Sequence, residues 1–574
     1  MMRENSRYIT VLLLLILFAF GCESDKPADV SATEETQITW YRNPFMYNVD
    51  VDAFKDSNGD GTGDFNGLTQ SLDYLKDLGV EVIWLSPFQP SPDGDDGYDV
   101  SDYYSIDRRL GTEKDFAIFI KAARKKNIKV IMDVVLNHTS IEHKWYQEAR
   151  SDTSSSRNKW YVWSKEQPKD FNKGMVFPGV QTETWTWDDI AKHYYFHRFY
   201  DFQPDLNYQN AAVQAEAAKI LKYWLLKGLD GFRLDAVPFI IDIPETGSAS
   251  PEHMFDILTM LRDSVKAIKP DAVLLGEANV TAEENQDYFG EKGERLQMMF
   301  NFYANQYLFY GLAIGDPKPF AKALEDFREK PGSAQWAFFL RNHDEIDLGR
   351  LAKSERRKVF EKFGPEANMQ LYERGIRRRL APMLGRQDQI KMSYSLLFSL
   401  PGAPVIRYGE ELGMGDDLTL TERLAVRTPM QWDSSKNAGF TTSSKPFRPV
   451  ISFGEFGYQN INVSKEISNP ESLLNFLKQL SALRKLHPEI GLGEWTTLKT
   501  DSKVFLIKYR YGNKTLITAH NFSPHSQQFS LAQEVPAGHK LEPLISTGKN
   551  LSDQNKLLLK GFGFEWFKLL AVQQ

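Results

Sequence analysis

The sequence predicts an α/β protein built on a (β/α)8 TIM barrel, with an inserted subdomain after strand 3 and a C-terminal antiparallel β-sandwich domain. Three observations carry this expectation. Short, near-continuous apolar runs recur with amphipathic stretches between them, the pattern of parallel strands buried on both faces. Carboxylates stand directly after several of these runs, where a barrel gathers its strand ends into one mouth. Beyond residue 490 the runs shorten and turn residues separate them, as in an antiparallel domain. An open doubly wound sheet is the alternative. Alternation over roughly 450 residues suits a barrel with long insertions better.

The chain has 574 residues, 42% hydrophobic and 25% charged, a composition that supports an ample core. Net charge is −7 and is not gathered into long runs, which argues against nucleic acid as a partner. The N-terminus reads as a targeting segment. Arg3 and Arg7 precede the apolar run Val11–Phe20, followed by Gly21 and Cys22. That run is about half the ~20 residues a spanning helix needs. Cys22 is the only cysteine, so it has no internal disulfide partner. Its position resembles a bacterial lipoprotein signal, which implies lipidation at Cys22 and an exported, membrane-anchored protein on the periplasmic or cell-surface side. Residues 1–22 are read as the signal and polar residues 23–37 as a tether.

The catalytic barrel is expected over 38–136 and 208–490. Strands are expected at Val80–Leu85, Ile128–Val135, Gly231–Asp235, Ala272–Glu277, Trp336–Leu340 and Ala403–Ile406, with helices at Asp115–Lys126 and Lys222–Leu229. Residues 137–207 exceed a usual βα loop and are rich in Trp, Tyr and Phe, which suggests a small packed subdomain over the site. A second insertion, Glu345–Gln389, carries Arg377, Arg378 and Arg379, and a triple arginine is expected on a solvated face. Leu477–His487 reads as a helix. Residues 491–574 follow as the β domain, with strands at Trp495–Leu498, Val504–Arg510, Lys514–His520, Gln528–Leu531 and Phe564–Leu570.

Several strand ends carry chemistry. Arg233 and Asp235 lie two apart on a strand and so share a side. The stretches Asp133–His138, Gly276–Asn279 and Leu340–Glu345 each bring a carboxylate to a strand's C-terminal end. Converging carboxylates suit glycosidic chemistry, which needs one nucleophile or base and one acid of raised pKa. Each alone could cap a helix; together in one strand series they point to a site. Asp56–Asp64 alternates oxygen-bearing side chains with glycines, a pattern suited to a hard cation such as Ca²⁺.

These stretches resemble the signature regions of glycoside hydrolase family 13, the α-amylase family, and Gln203–Asn207 resembles the family's extra region. The resemblance runs from about Trp40 to Trp432. It implies Asp235 as nucleophile, Glu277 as general acid/base and Asp344 as a transition-state stabiliser that binds ring hydroxyls. It further implies that Arg233 orients Asp235 and that His138 and His343 hydrogen-bond the sugar. Asp95 and Tyr98 would grip a non-reducing glucose, and Arg427 would close the same pocket. A structural Ca²⁺ would take the Asp56, Asn58, Asp60 and Asp64 side chains and the Thr62 carbonyl. No organic cofactor is expected.

Within the family, Phe177–Gly179, His197–Tyr200 and Gly375–Pro382 look like trehalose synthases and related α-glucosidases. A small residue after the nucleophile, here Ala236, goes with α-1,4 linkages in those relatives. Arg407 and Glu410 depart from the family pattern, as do Leu424 and Ala425. The first expectation is a retaining, exo-acting α-glucosidase working on maltose or maltooligosaccharides, since an exported enzyme meets external sugars. The second is a trehalose synthase that interconverts maltose and trehalose. The third, a non-catalytic sugar-binding scaffold, sits poorly with a chain that keeps Asp235, Glu277 and Asp344.

Overall fold

The computed structural model describes residues 40–242, 254–551 and 556–572. Eight parallel strands close into a barrel: β1 (Met46–Val49), β2 (Val82–Leu85), β3 (Lys129–Val134), β4 (Gly231–Leu234), β5 (Val273–Gly276), β6 (Met298–Phe300), β7 (Gln335–Phe339) and β8 (Ala403–Arg407). Each pairs with its sequence neighbour, and β1 pairs with both β2 and β8, so no edge is left.

Alternate strand residues face inward and outward. Met46, Val82, Ile131, Val273, Leu275, Met298, Ala337 and Val405 fill the barrel interior, while Tyr47, Ile83, Val130 and Leu274 pack in the core shared with the surrounding helices. Burial on both faces explains the apolar continuity of these strands. Gly231 opens β4 where space is tightest, since a Cβ there would stand 2.3 Å from the Val273 carbonyl oxygen. Helix Glu113–Lys125 begins at Thr112 in a capping box with Asp115, and helix Ala211–Leu226 begins at Asn210, whose side chain accepts from Ala212 N.

Within residues 137–207, helix Lys144–Ser151 packs with a three-stranded antiparallel sheet of Trp163–Ser164, His193–Phe196 and Trp185–Asp188. Its core is aromatic: Tyr146 stacks on Trp163 with centroids 5.7 Å apart and meets Tyr161 edge-on at 5.1 Å. The second insertion holds helix Lys353–Phe363 and three two-residue strands.

The triple arginine corrects a sequence expectation, because it is not solvated. Arg377 donates to the carbonyls of Asn368, Leu418, Leu420 and Glu422, Arg378 pairs with Asp416 at 2.9 Å, and Arg379 is fully buried against Tyr408 O and Glu410. These acceptors come from distant segments, so the local charge run gave no sign of them.

The C-terminal part is a sandwich. One sheet has five strands in the order Glu494–Leu498, Val504–Tyr511, Lys514–Asn521, Phe564–Ala571, His539–Ser546. The other has Gln527–Ser530, Lys556–Leu559 and Lys549–Leu551. Val504, Leu506, Ile517, Phe529, Leu557 and Phe567 form the core between them. Trp566 Nε1 donates to Ser395 Oγ at 3.0 Å, joining the sandwich to helix Gln387–Ser399 of the barrel.

Candidate active site

The backbone ladder runs one residue past β4 and β5. Asp235 N donates to Val134 O at 3.2 Å and Glu277 N donates to Leu234 O at 3.1 Å. Both carboxyl-bearing residues therefore leave the barrel mouth from rigid positions. Arg233, 1% exposed, holds them from behind. Its Nη1 contacts Asp235 Oδ1 at 2.5 Å and Asp133 Oδ1 at 2.7 Å, and its Nη2 reaches Glu277 Oε1 at 2.8 Å. One planar guanidinium thus fixes three carboxyls. Glu277 Oε2 accepts from Ala236 N at 2.9 Å, which is possible because Ala236 turns the chain with φ 51°. A left-handed alanine is strained, and such strain gathers at functional sites.

Asp235 and Glu277 differ electrostatically. Burial, opposed by Arg233 and reinforced by Asp235 and Asp344, pushes Glu277 up to about 7. Burial also raises Asp235, but Arg233 limits the rise to about 6. At neutral pH one carboxyl is thereby mainly ionised and the other holds its proton more readily, the division of labour acid and nucleophile need. Asp344 goes the other way. Against the effect of burial, His343, Arg423 and Arg427 hold it well below the usual carboxylate range.

Asp235, Glu277 and Asp344 share a pocket of about 660 Å³ with Asp95, Tyr98, His138, His343 and Arg423. Burial lowers both histidines to about 4, so they are neutral at pH 7. His138 Nε2 lies 3.0 Å from Tyr98 O, and His343 Nε2 lies 2.7 Å from Tyr98 Oη and 3.1 Å from Asp344 Oδ2. Tyr98 Oη donates to Asp133 Oδ2 at 2.9 Å, and its ring stacks on His343 at 5.4 Å. Burial raises Asp95 to about 6; it accepts from Gln203 Nε2 at 3.1 Å and from Arg423 at 2.8 Å.

The chain from residue 49 to residue 493 matches the family described as "Alpha amylase, catalytic domain". The chain belongs to the α-amylase family. This chain is an enzyme of that glycosidase family. The trehalose synthase of Thermus thermophilus is 38% identical over 543 residues, covering 93% of this chain and 56% of the relative; the chain thus spans about half that protein's length. The trehalose synthase/amylase TreS of Mycolicibacterium smegmatis is 36% identical over 558 residues, covering 94% of each chain. Among solved structures, a trehalose-6-phosphate hydrolase (TreA) from Bacillus licheniformis superposes with a TM-score of 0.76 at 27% identity, covering 92% of this chain and 99% of the other.

Arg427 reaches the site through Asp344 but is not among the residues that line the pocket. It lies one layer behind the pocket, with its guanidinium fully engaged: Nε donates to His343 O at 2.9 Å, Nη1 to Asp96 at 2.9 Å and Nη2 to Asp344 at 3.2 Å. Arg198, Arg350 and Arg374 line the pocket elsewhere, and Arg423, which sequence reasoning missed, lines it beside Asp95 and Asp344. Its Nη1 and Nη2 reach Asp344 and Asp95, each at 2.8 Å. The sequence carried no signal for it, since it lies on the short 3-10 turn Glu422–Val426. The departures at Arg407 and Glu410 are matched beneath the pocket. Arg407 pairs with Asp50 and donates to Asn48 Oδ1 at 2.9 Å, while Glu410 meets Arg379 at 3.2 Å.

The loop Asp56–Asp64 is pinned by its own amides. Asp56 accepts from Asn58 N, Gly59 N and Gly61 N, Asp60 from Thr62 N, and Asp64 from Ser57 N and Gly67 N. Its hard oxygen donors suit Ca²⁺ chemically. Among the described residues no three His, Cys, Asp or Glu side chains are grouped as for a metal, and here the carboxylates of this loop turn to its own amides. Cys22 and the signal and tether segments lie outside the described residues. Among the described residues, no helix is long and apolar enough to cross a membrane.

Proposed function

We propose that this enzyme is a trehalose synthase, which converts maltose into trehalose and back within one closed pocket. The observation that carries the proposal is a junction of three separate segments around Phe177 and Arg423, two residues that line the pocket. Phe177 of the first insertion packs on Tyr372 of the second at 4.6 Å and on Tyr200 at 4.8 Å. Tyr372 Oη donates to Glu422 Oε2 at 2.6 Å, and Tyr200 Oη donates to the same oxygen. Arg423, next to Glu422, lies 4.9 Å from the Phe177 ring. Such a junction beside the pocket would limit water and help retain a released sugar, as isomerisation requires. The similarity to two trehalose synthases supports the same choice.

In this reading Asp235 attacks the anomeric carbon of the non-reducing glucose while Glu277 gives its proton to the departing O4. The bond from carbon to O4 breaks, and a glucosyl–Asp235 ester forms. The freed glucose turns and presents its own anomeric hydroxyl. That oxygen attacks the anomeric carbon of the glucosyl ester, its proton passes to Glu277, and the bond from that carbon to Asp235 breaks, freeing the carboxylate. Two displacements retain the α configuration. Arg233 keeps Asp235 aimed and favours its charged form. Asp95, Asp344 and Arg423 bind hydroxyls of the first glucose with His138 and His343, and Tyr98 forms the pocket wall. Water in place of the second glucose would give hydrolysis, the α-glucosidase reaction, and the exported-lipoprotein pattern around Cys22 favours that second reading. Incubation with maltose followed by product analysis separates the two: trehalose supports the synthase, and glucose alone supports the glucosidase.

Two further roles belong to this proposal. Asp56, Asn58, Asp60, Asp64 and the Thr62 carbonyl hold a Ca²⁺ that stiffens their loop and takes no part in the chemistry. Cys22 carries the lipid that anchors the enzyme to a membrane.

A further inference from the structure

Arg448 is a buried guanidinium that the mechanism does not use. It is 9% exposed and lies between the short turn Lys436–Gly439 and helix Val463–Ser468. The residue before it is pinned from behind. Phe447 N donates to Gly61 O at 2.9 Å, so the loop Asp56–Asp64 sets where Arg448 enters. Arg448 then closes a ring of three charged residues. Its Nη2 donates to Asp96 Oδ1 at 2.5 Å and its Nη1 to Arg427 O at 2.6 Å, while Arg427 Nη1 donates to Asp96 Oδ2 at 2.9 Å. Arg427 is thereby held both at its backbone and at its guanidinium. Its other two nitrogens reach toward the site, Nε to His343 O at 2.9 Å and Nη2 to Asp344 Oδ1 at 3.2 Å.

Asp96 is where this ring meets the pocket. Its backbone has φ 53°, Gly97 follows at φ 95°, and the flanking Asp95 and Tyr98 both line the pocket. A left-handed residue other than glycine persists where its surroundings over-determine it. Here two guanidiniums grip the carboxylate. Against the effect of burial, Arg448 and then Arg427 hold Asp96 below the usual carboxylate range, so it stays ionised. One guanidinium would satisfy that charge; the second fixes where the first points. We propose that Arg448 is a positioning residue: through Asp96 and Arg427 it sets the place of Asp344, and through the turn at Asp96 it sets the wall of Asp95 and Tyr98 that meets the first glucose. Groups that act on a transition state tolerate little displacement, so a loosened Asp344 should cost rate more than affinity. The inference rests on the assignment of Asp95 and Asp344 to the first glucose, and is the same whether water or a sugar ends the reaction.

The test measures maltose consumption by the wild type, Arg448→Met and Arg448→Lys, well below the melting temperature of each. Methionine drops both bonds. Lysine keeps the charge beside Asp96 but lacks the planar fork that reaches Asp96 and Arg427 O together. The expected result is a fall in kcat of at least ten-fold with Met and at least three-fold with Lys, with KM rising by a smaller factor in each. A role confined to folding predicts a lower melting temperature with kcat per folded molecule unchanged. That outcome, losses in kcat below these limits, or a loss confined to KM would overturn the proposal. If Arg448→Met does not fold, Arg448→Lys decides alone on the three-fold limit. A wild type that makes only glucose would defeat the synthase reading alone, and the comparison of variants would still decide the role of Arg448, because it counts maltose consumed.

Discussion

Arg423 donates to Asp95 at 2.8 Å and thereby joins the loop after β2 to the loop after β8 across the pocket. The same guanidinium holds Asp344. A sugar bound there meets a preassembled cluster whose charges are already compensated, so little reorganisation accompanies binding.

Arg423→Ala should therefore lower kcat/KM on maltose by roughly ten- to hundred-fold, the loss of charge-assisted hydrogen bonds of order ~1.5–3 kcal/mol. Steady-state kinetics checks this. A loss below three-fold would place the closing contact elsewhere. If the cluster binds a terminal glucose as proposed, a maltooligosaccharide blocked at its non-reducing end should be a poor substrate.

The pH profile follows from the pair on Arg233. Activity needs Asp235 ionised, so it should rise as pH climbs through about 6, and it needs Glu277 protonated, so it should fall as pH passes about 7. The two groups share one guanidinium and titrate as a pair, so the limbs belong to the pair. A narrow bell in kcat/KM is expected. A flat plateau from pH 5 to 9 would show that Glu277 is not the titrating acid.

Much of this site is legible in the sequence. Asp235, Glu277 and Asp344 follow apolar strands, and parallel strands have one mouth, so their meeting follows from topology. Six barrel strands stand out by apolar continuity. Met46–Val49 and Met298–Phe300 do not, the first because Asn48 interrupts a run of only four residues, the second because it has only three. Arg423 was hidden for another reason. It sits on a short 3-10 turn, Glu422–Val426, where no helical or strand period says which way a side chain points. The partners of Arg377 and Arg379 come from segments brought near only by the closed fold.

Calcium at Asp56–Asp64 should be structural. A ligand that binds only the folded state raises its stability, so EDTA should lower the melting temperature and added Ca²⁺ should restore it. Unchanged melting, with no metal in the purified protein, would mean that the loop's own hydrogen bonds suffice.

Cys22→Ser should move the enzyme from the membrane fraction to the soluble one, since among the described residues no helix can span a bilayer. A variant that stays membrane-bound after a salt wash would remove Cys22 as the anchor.

The most direct test of the central claim feeds the enzyme unlabelled maltose together with an excess of ¹³C-glucose and follows the products by mass spectrometry. A glucose retained and turned within the pocket predicts trehalose that carries no label. Trehalose labelled in proportion to the added glucose, or glucose as the sole product, would contradict it.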